Sequence, residues 1–329
     1  MRKTDSHKSP SGVSVIVCCY NSTEILPQTL EHLLTQETTE STNWEIIIVD
    51  NNSTDSLLTF LEPYLSREER IKYVTEEQRG LSHARMKGVA SAQYAYLIFC
   101  DDDNHLCPNY IQTVFDIFED NERIGLIGGK SEMLTDPPHD IPDWFEAEKH
   151  MYAIGNQGQK SGDISTRGFV WGSGMGLRKE VINWIRLQRI KSLLTDRSGD
   201  TLSSGGDSEI CYWYLFAGYG IWYDERLTFY HHITPERLNK SYLVRLKQGM
   251  EERNPILMSY HAVHQFNEKF SFLEKVWTFA KVPYYLLKRK RTAFMKTYIQ
   301  IAMANRIELF PIQRKVLNVY KLIHHQFRP

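Results

Sequence analysis

Three consecutive aspartates, Asp101-Asp102-Asp103, end an apolar, aromatic-rich run from Tyr94 to Cys100. The run reads as a buried strand. Three adjacent carboxylates repel one another, and burying them unpaired is very costly. At the carboxyl end of a buried strand they stand where open α/β sheets bind ligands. A hard cation such as Mg2+ would relieve the repulsion, because it takes one or two carboxylates and completes its shell with substrate phosphates. For a triplet standing alone, a solvated acidic turn would be the readier explanation. This one does not stand alone. Glu45 to Val49 is a second apolar run, ending at Asp50, whose carboxylate suits a base or ribose, or a helix cap. Gly205-Gly206-Asp207-Ser208-Glu209 opens an aromatic helical stretch, and its glycines let a substrate come close. Capping suits Asp207 too, and dipole compensation suits Glu209. Arg85 offers a fixed, always-charged fork for a phosphate, or an ion pair with a sheet-edge aspartate. His231-His232 follows a further apolar segment, where a neutral imidazole can ligate a metal or bond a phosphate.

The elements that would position these groups follow from periodicity. Val13 to Tyr20 is a near-continuous apolar strand of the kind found inside parallel sheets. Asn21-Ser22-Thr23 supplies cap chemistry for a helix from about Glu24 to Leu34. The strand ending at Asp50 precedes a helix from about Ser56 to Leu65, Ile71 to Thr75 is a short strand, and Ser82 to Ala92 is helical. The strand ending at Asp101 is followed by a helix from Pro108 to Glu119 and a strand from Ile124 to Gly128. Strands alternating with helices of this length imply right-handed βαβ units and a mostly parallel central sheet flanked by helices. Beyond Met133 the pattern loosens into long loops up to Ser165. Phe169 to Leu177 reads as a glycine-punctuated strand, Gly220 to Tyr223 and Leu227 to Tyr230 as two short strands, and the chain from Ser241 as helical.

Composition bounds the function. The 329 residues are 42% hydrophobic and carry a formal net charge of -1, which offers no general attraction to nucleic acid. From Gln265 onward, however, 13 Lys and Arg face 3 Glu, a net of +10, leaving -11 for the rest (-1 minus +10). That asymmetry points to an anionic partner for the C-terminal part. Five cysteines in no metal-type spacing argue for a reducing compartment. No signal peptide and no 18-residue apolar window is read, so a cytoplasmic location is expected.

Val15-Ile16-Val17-Cys18-Cys19-Tyr20-Asn21, Ile47-Ile48-Val49-Asp50-Asn51-Asn52-Ser53-Thr54-Asp55, Gly80-Leu81-Ser82-His83-Ala84-Arg85 and Asp101-Asp102-Asp103, with Pro108 beyond, stand in an order and spacing that resembles the family 2 glycosyltransferases of GT-A fold. The resemblance covers roughly residues 12 to 250. It implies an inverting, bacterial-type enzyme that moves a sugar from a nucleotide-sugar donor, a UDP-sugar above all, to an acceptor hydroxyl in polysaccharide or glycan assembly. Residues 1-11 would then be a flexible N-terminus and 12-130 the nucleotide-sugar-binding half. Residues 131-264 would form the acceptor-binding and catalytic half of the same domain, and 265-329 a basic helical C-terminal region.

Residue by residue, the resemblance implies a donor site of Tyr20, Asn21, Asp50, Asn52, Arg85, Asp101, Asp102 and Asp103. Asp50 would meet the base or ribose and Arg85 the phosphate or sugar. Asp101 and Asp103 match the two acidic positions of the Asp-x-Asp motif, Asp103 being the stronger ligand for Mn2+ or Mg2+, with Asp102 a spacer turned away from the metal. Gly205-Gly206-Asp207-Ser208-Glu209 looks like the family's Gly-Glu-Asp-x-Glu, with Gly206 in place of Glu. Asp207 would be the base that deprotonates the acceptor hydroxyl. His231-His232-Ile233-Thr234-Pro235-Glu236-Arg237 resembles a His-His-x-x-Pro-x-x-Arg segment of bacterial relatives, which brings His231 or His232 to the metal. Gly172-Ser173-Gly174 matches a small-residue loop on the acceptor side, joined by Glu209 and by Trp144 and Trp171, which could stack on a sugar or fill a core. The acceptor would be a sugar or a lipid-linked glycan. Residues 272-291 mix aromatics with Lys288-Arg289-Lys290-Arg291, which fits either a helix on an anionic membrane face, here the cytoplasmic face of the inner membrane, or a packed appendix with a solvated basic end. A processive synthase would carry Gln-x-x-Arg-Trp and spanning helices, and a sugar nucleotidyltransferase a Gly-rich loop where Tyr20-Asn21-Ser22 stands. A catalytically inactive nucleotide-sugar-binding protein is the alternative from another class, and joint retention of Asp50, Asp101, Asp103 and Asp207 speaks against it.

Overall fold

Val13–Cys19 (β1), Trp44–Asp50 (β2) and Tyr96–Asp101 (β4) are apolar along nearly their whole length, because both faces of the sheet they form are covered. The computed structural model describes residues 9-135, 140-194, 205-269 and 311-328. Alternate side chains serve opposite layers, as the two-residue period of a strand requires. Ile16, Ile47, Val49, Leu97 and Phe99 enter one core cluster, and Val15, Val17, Ile46, Ile48 and Ile98 the other.

Among the described residues the sheet has nine strands. The others are Ile71–Thr75 (β3), Asn104–Leu106 (β5), Ile124–Leu134 (β6), Gly162–Asp163 (β7), Met175–Arg178 (β8) and Gly220–His232 (β9). Their order is β3-β2-β1-β4-β8-β6-β9-β5, with β7 paired to β9. β3, β2, β1 and β4 run parallel; β8 is antiparallel to both β4 and β6, and β6 and β9 are parallel. This is the mostly parallel, helix-flanked sheet that the sequence implies. The long β9 takes the place of the two short strands expected, with bulges in its pairing to β6. β8 begins at Met175 rather than Phe169. Gly174, at φ 68, lies in the left-handed region and ends any extended run before it.

Leu26–Leu34 (α1), Leu57–Leu65 (α2) and Tyr110–Asp120 (α4) cover one face through residues such as Leu30, Leu61 and Val114. Leu81–Ser91 (α3), Lys179–Leu187 (α6) and Gly206–Phe216 (α7) cover the other; the short helix Phe145–Glu148 (α5) precedes α6 in the chain and Lys240–His264 (α8) follows α7. The C-terminal helix Pro311–Phe327 (α9) packs on α7 and α8, burying Val316, Leu317, Tyr320 and Ile323, with Tyr320 edge-on to Phe216 at 5.1 Å. This part of the basic C-terminal region is a packed appendix; the stretch 272-291 lies outside the described residues. No helix among the described residues is long and apolar enough to cross a membrane.

Candidate functional site

The parallel strands β1, β2 and β4 all end on one edge of the sheet, and a pocket of about 730 Å³ opens there. Tyr20 and Asn21 after β1, Asn51 after β2 and Asp101 to Asp103 after β4 line it. Arg79 and Arg85 enter from the start of α3, Gly172 and Ser173 from the loop before β8, Asp207 from α7, His231 from the end of β9 and Arg237 from the turn beyond it.

The three aspartates have three different environments. Asp101 Oδ2 accepts from the Ser173 hydroxyl, and Arg85 Nη2 lies 3.8 Å from Oδ1. Arg85 is only 4% exposed and sits over the Phe99 ring at 5.1 Å, so its guanidinium is fixed rather than solvated. Asp102 Oδ2 accepts from the Ser22 hydroxyl; burial, followed by the neighbouring Asp103 charge, pushes its carboxyl up. Asp103 Oδ2 accepts from Arg237 Nη1 at 2.9 Å and faces His231 Nε2 at 3.4 Å, while Oδ1 accepts from Asn104 Nδ2 at 3.0 Å. Burial alone would raise the Asp103 carboxyl, but the His231 and Arg237 charges outweigh it and hold the group well below the usual carboxylate range.

His231 is oriented from behind. Its Nδ1 lies 3.0 Å from the Tyr152 carbonyl, which can only accept, so Nδ1 carries a proton. A neutral ring would therefore aim the Nε2 lone pair at the Asp103 carboxylate. A cation held between Nε2 and the carboxylate would be bonded by both. An imidazole whose far nitrogen donates to a carbonyl, beside a carboxylate, is a common half-site for a divalent ion. Asp101 adds a carboxylate from the same turn. Among the described residues no group of three His, Cys, Asp or Glu side chains could by itself hold a metal ion. The donor set fits an ion that draws its remaining ligands from substrate phosphates and water.

Asp207 faces the same pocket from the first turn of α7. Its Oδ2 accepts from the Gly172 N–H at 3.1 Å and its Oδ1 from the Ser208 N–H at 2.7 Å. Gly205 caps the helix at φ 137, a left-handed value that a side chain would strain. Trp171, Phe169 and Arg167 form one wall, with Arg167 over Phe169 at 4.5 Å and Trp171 at 5.4 Å. Tyr242, Leu246 and Met250, spaced one turn apart on α8, form another. At the mouth, Arg79 lies over Tyr20, which is 44% exposed, at 5.2 Å.

Several residues expected here lie elsewhere. Asp50 is buried beside the pocket rather than in its lining, accepting from the Tyr73 hydroxyl at 2.6 Å and the Ser53 N–H at 2.8 Å. Its neighbour Asn51 lines the pocket instead, while its side chain braces the approach to α3 through the Gly80 N–H at 2.7 Å and the Gln78 carbonyl at 2.8 Å. Asn52, at φ 63, is exposed on the turn beyond. His232 follows the two-residue alternation of β9 away from the lining, so His231 is the histidine of the pair that reaches it. Trp144 packs on a small apolar cluster with Phe145 and Tyr152, outside the lining. Gly174 is buried against Tyr110, whose hydroxyl donates to its carbonyl at 2.7 Å.

Glu209 is the clearest departure from an acceptor-side role. It is 0% exposed and accepts from the Leu193 and Leu194 N–H groups at 2.9 and 3.1 Å and from the Ser192 and Tyr260 hydroxyls. Two residues past Asp207 on a helix, it points into the core by the 3.6-residue period. Conversely, sequence reasoning gave Arg237, Arg79 and Arg167 no role. The signal for Arg237 was its place six residues after His231, across a turn begun by Pro235.

The profile described as Glycosyl transferase family 2 matches residues 14–185. The chain is 32% identical over 103 residues to the cholesterol galactosyltransferase of Borreliella burgdorferi, which covers 31% of this chain and 28% of that protein. It is 27% identical over 124 residues to the poly-beta-1,6-N-acetyl-D-glucosamine synthase of Staphylococcus epidermidis, covering 37% of this chain and 29% of that protein. The chain thus aligns with under a third of the length of these relatives. Its fold is similar to that of S. aureus TarS 1-349, with a TM-score of 0.55 at 16% identity over 96% of this chain and 91% of that one. The same protein in complex with UDP-GlcNAc gives a TM-score of 0.54 at 15% identity, again 96% of this chain and 91% of that one.

Proposed function

The chain belongs to glycosyl transferase family 2 and has its GT-A fold, and from that premise we propose that it transfers a sugar from a nucleotide-sugar donor to an acceptor hydroxyl with inversion. One observation carries the reading: the three-aspartate turn, the buried Arg85 and Asp207 converge on a single pocket from three separate stretches of chain. The donor's diphosphate would lie against the Asp101 to Asp103 turn and Arg85, and its sugar toward Gly172 and Asp207. The occurrence of UDP and UDP-GlcNAc complexes of the structurally similar TarS supports a UDP-sugar. The relationship to a poly-beta-1,6-N-acetyl-D-glucosamine synthase supports a place in surface-glycan assembly. A sugar or lipid-linked glycan acceptor would enter along Trp171, Phe169 and the α8 wall.

In this reading Asp207 accepts the acceptor's hydroxyl proton as that oxygen attacks the anomeric carbon and the nucleoside diphosphate departs from the opposite face. The Gly172 N–H and the α7 N-terminus hold the carboxylate in place. Asp103 and His231 would hold a Mn2+ or Mg2+ ion, with Asp101 beside them on the same turn, and the ion would neutralise charge on the departing diphosphate. Arg85 stabilises the same charge from a buried, pre-set position that needs no reorganisation. Asp102 remains bonded to Ser22 and braces the turn. Peripheral attachment to the cytoplasmic face of the inner membrane through 272-291 completes the proposal.

The test uses the full chain. UDP should raise Tm only with Mn2+ or Mg2+ present, and an equal rise in chelator would remove the metal role. Asp207→Asn should keep that stabilisation and lose transfer by about 10²-fold or more, as expected for a missing general base. Undiminished turnover would reject Asp207.

A further inference from the structure

We propose that Arg237 is the resident counterion of Asp103, that a divalent cation must displace it, and that the freed guanidinium then turns to the phosphates of the nucleoside diphosphate. The inference rests on the metal and diphosphate reading above and adds an order and a coupling to it.

The argument begins with one oxygen atom. Arg237 Nη1 donates to Asp103 Oδ2 at 2.9 Å, and the His231 Nε2 faces that same Oδ2 at 3.4 Å. A hard cation bound between Asp103 and His231 would take a lone pair of this oxygen at about 2.0–2.6 Å. The guanidinium would then sit next to a doubly charged ion inside a partly buried pocket, where like charges repel strongly. The two cations compete for one site.

Charge balance gives the sequence of events. Asp101, Asp102 and Asp103 carry three carboxyl groups, faced by Arg85 at Asp101 and Arg237 at Asp103. A divalent ion added alone overcharges the turn, because Arg237 still occupies Oδ2. A diphosphate added alone brings further negative charge to a turn whose Arg237 is still engaged by Asp103. Added together they balance: the ion takes Oδ2 and the diphosphate offers the guanidinium a new partner. Arg237 is placed for that exchange. It lines the pocket with Arg79 and Arg85, and its backbone is held by the Tyr152 hydroxyl on its carbonyl at 3.0 Å, so that only the side chain need swing. A fork that serves a carboxylate serves a phosphate equally well. Reciprocal linkage follows: each ligand raises the affinity for the other by the same factor.

The experiment is equilibrium dialysis of the full chain with Mn2+, alone and with UDP, each against a protein-free control at the same UDP concentration. The wild type should bind Mn2+ weakly alone and about tenfold or more tightly with UDP, a coupling of ordinary size. Arg237→Gln should bind Mn2+ alone about tenfold more tightly than wild type, bind UDP more weakly, and lose most of the coupling. Arg237→Lys, which keeps a cation without the fork, should fall between and guards against misfolding of the Gln variant, with circular dichroism on both. Unchanged or weaker Mn2+ binding by a folded Arg237→Gln overturns the exchange, as does equal wild-type Mn2+ binding with and without UDP. Mn2+ that binds no protein form even with UDP overturns the metal reading and this proposal together.

Discussion

At the scale of single residues, side chains that look alike in the sequence separate by what surrounds them. Asp207 and Glu209 stand two positions apart on α7, and the helical turn sends one into the pocket and the other into the core. Removing Glu209 would leave the Leu193 and Leu194 N–H groups and two hydroxyls without their acceptor, at about 1–3 kcal/mol for each donor that stays buried. Glu209→Ala should therefore lower stability by about 3 kcal/mol or more in urea denaturation. An unchanged midpoint would show that the carboxylate holds nothing. The sequence ranks Asp207 above Glu209 only through the family resemblance, because both suit a helix start. Nor could it see that Asp50 is taken by the Tyr73 hydroxyl, a contact between neighbouring strands. The place of the aspartate triplet at the pocket, by contrast, was legible, since a buried strand in a parallel sheet ends at the edge where such pockets open. Which charge meets which partner was not, because Ser22, Ser173 and Arg237 arrive from far along the chain.

At the scale of elements, the strands that sequence places best are those covered on both faces. β1, β2 and β4 are continuous apolar runs ending in polar turns, and their helices follow at the expected spacing. The loop before β8 was misjudged because its large residues read as strand, whereas Phe169 and Trp171 stack with Arg167 at the pocket wall. That loop comes so close to α3 that a Cβ on Gly172 would lie 2.4 Å from Arg85 Nη2. Arg85, only 4% exposed, can give way only by shifting within the pocket it lines. Gly172→Ala should consequently weaken UDP binding by about tenfold, or 1.4 kcal/mol, in calorimetric titration while leaving Tm nearly unchanged. A large fall in Tm with unaltered UDP affinity would mean that the glycine serves packing rather than the guanidinium.

At the scale of the whole molecule, charge and topology divide the labour. The net of +10 from Gln265 onward suits attraction to an anionic surface, and part of that region, α9, is bound tightly to α7 and α8. Deleting the region would strip a buried seam from the core, so the informative change is to charge alone. Replacement of Lys288, Arg289, Lys290 and Arg291 by Ala should abolish flotation of the full chain with phosphatidylserine-containing vesicles, at about 1 kcal/mol per cation, without loss of soluble activity. Flotation that survives the change would assign the attraction to other residues. The sheet itself has a consequence for exchange kinetics. β4 is bonded to β1 on one side and β8 on the other, and lies between the two core clusters. Its amide hydrogens have no local opening through which to trade with deuterium, so they should exchange only when the whole domain unfolds. The aspartate turn is thus anchored to a strand whose amides should be among the last in the fold to exchange.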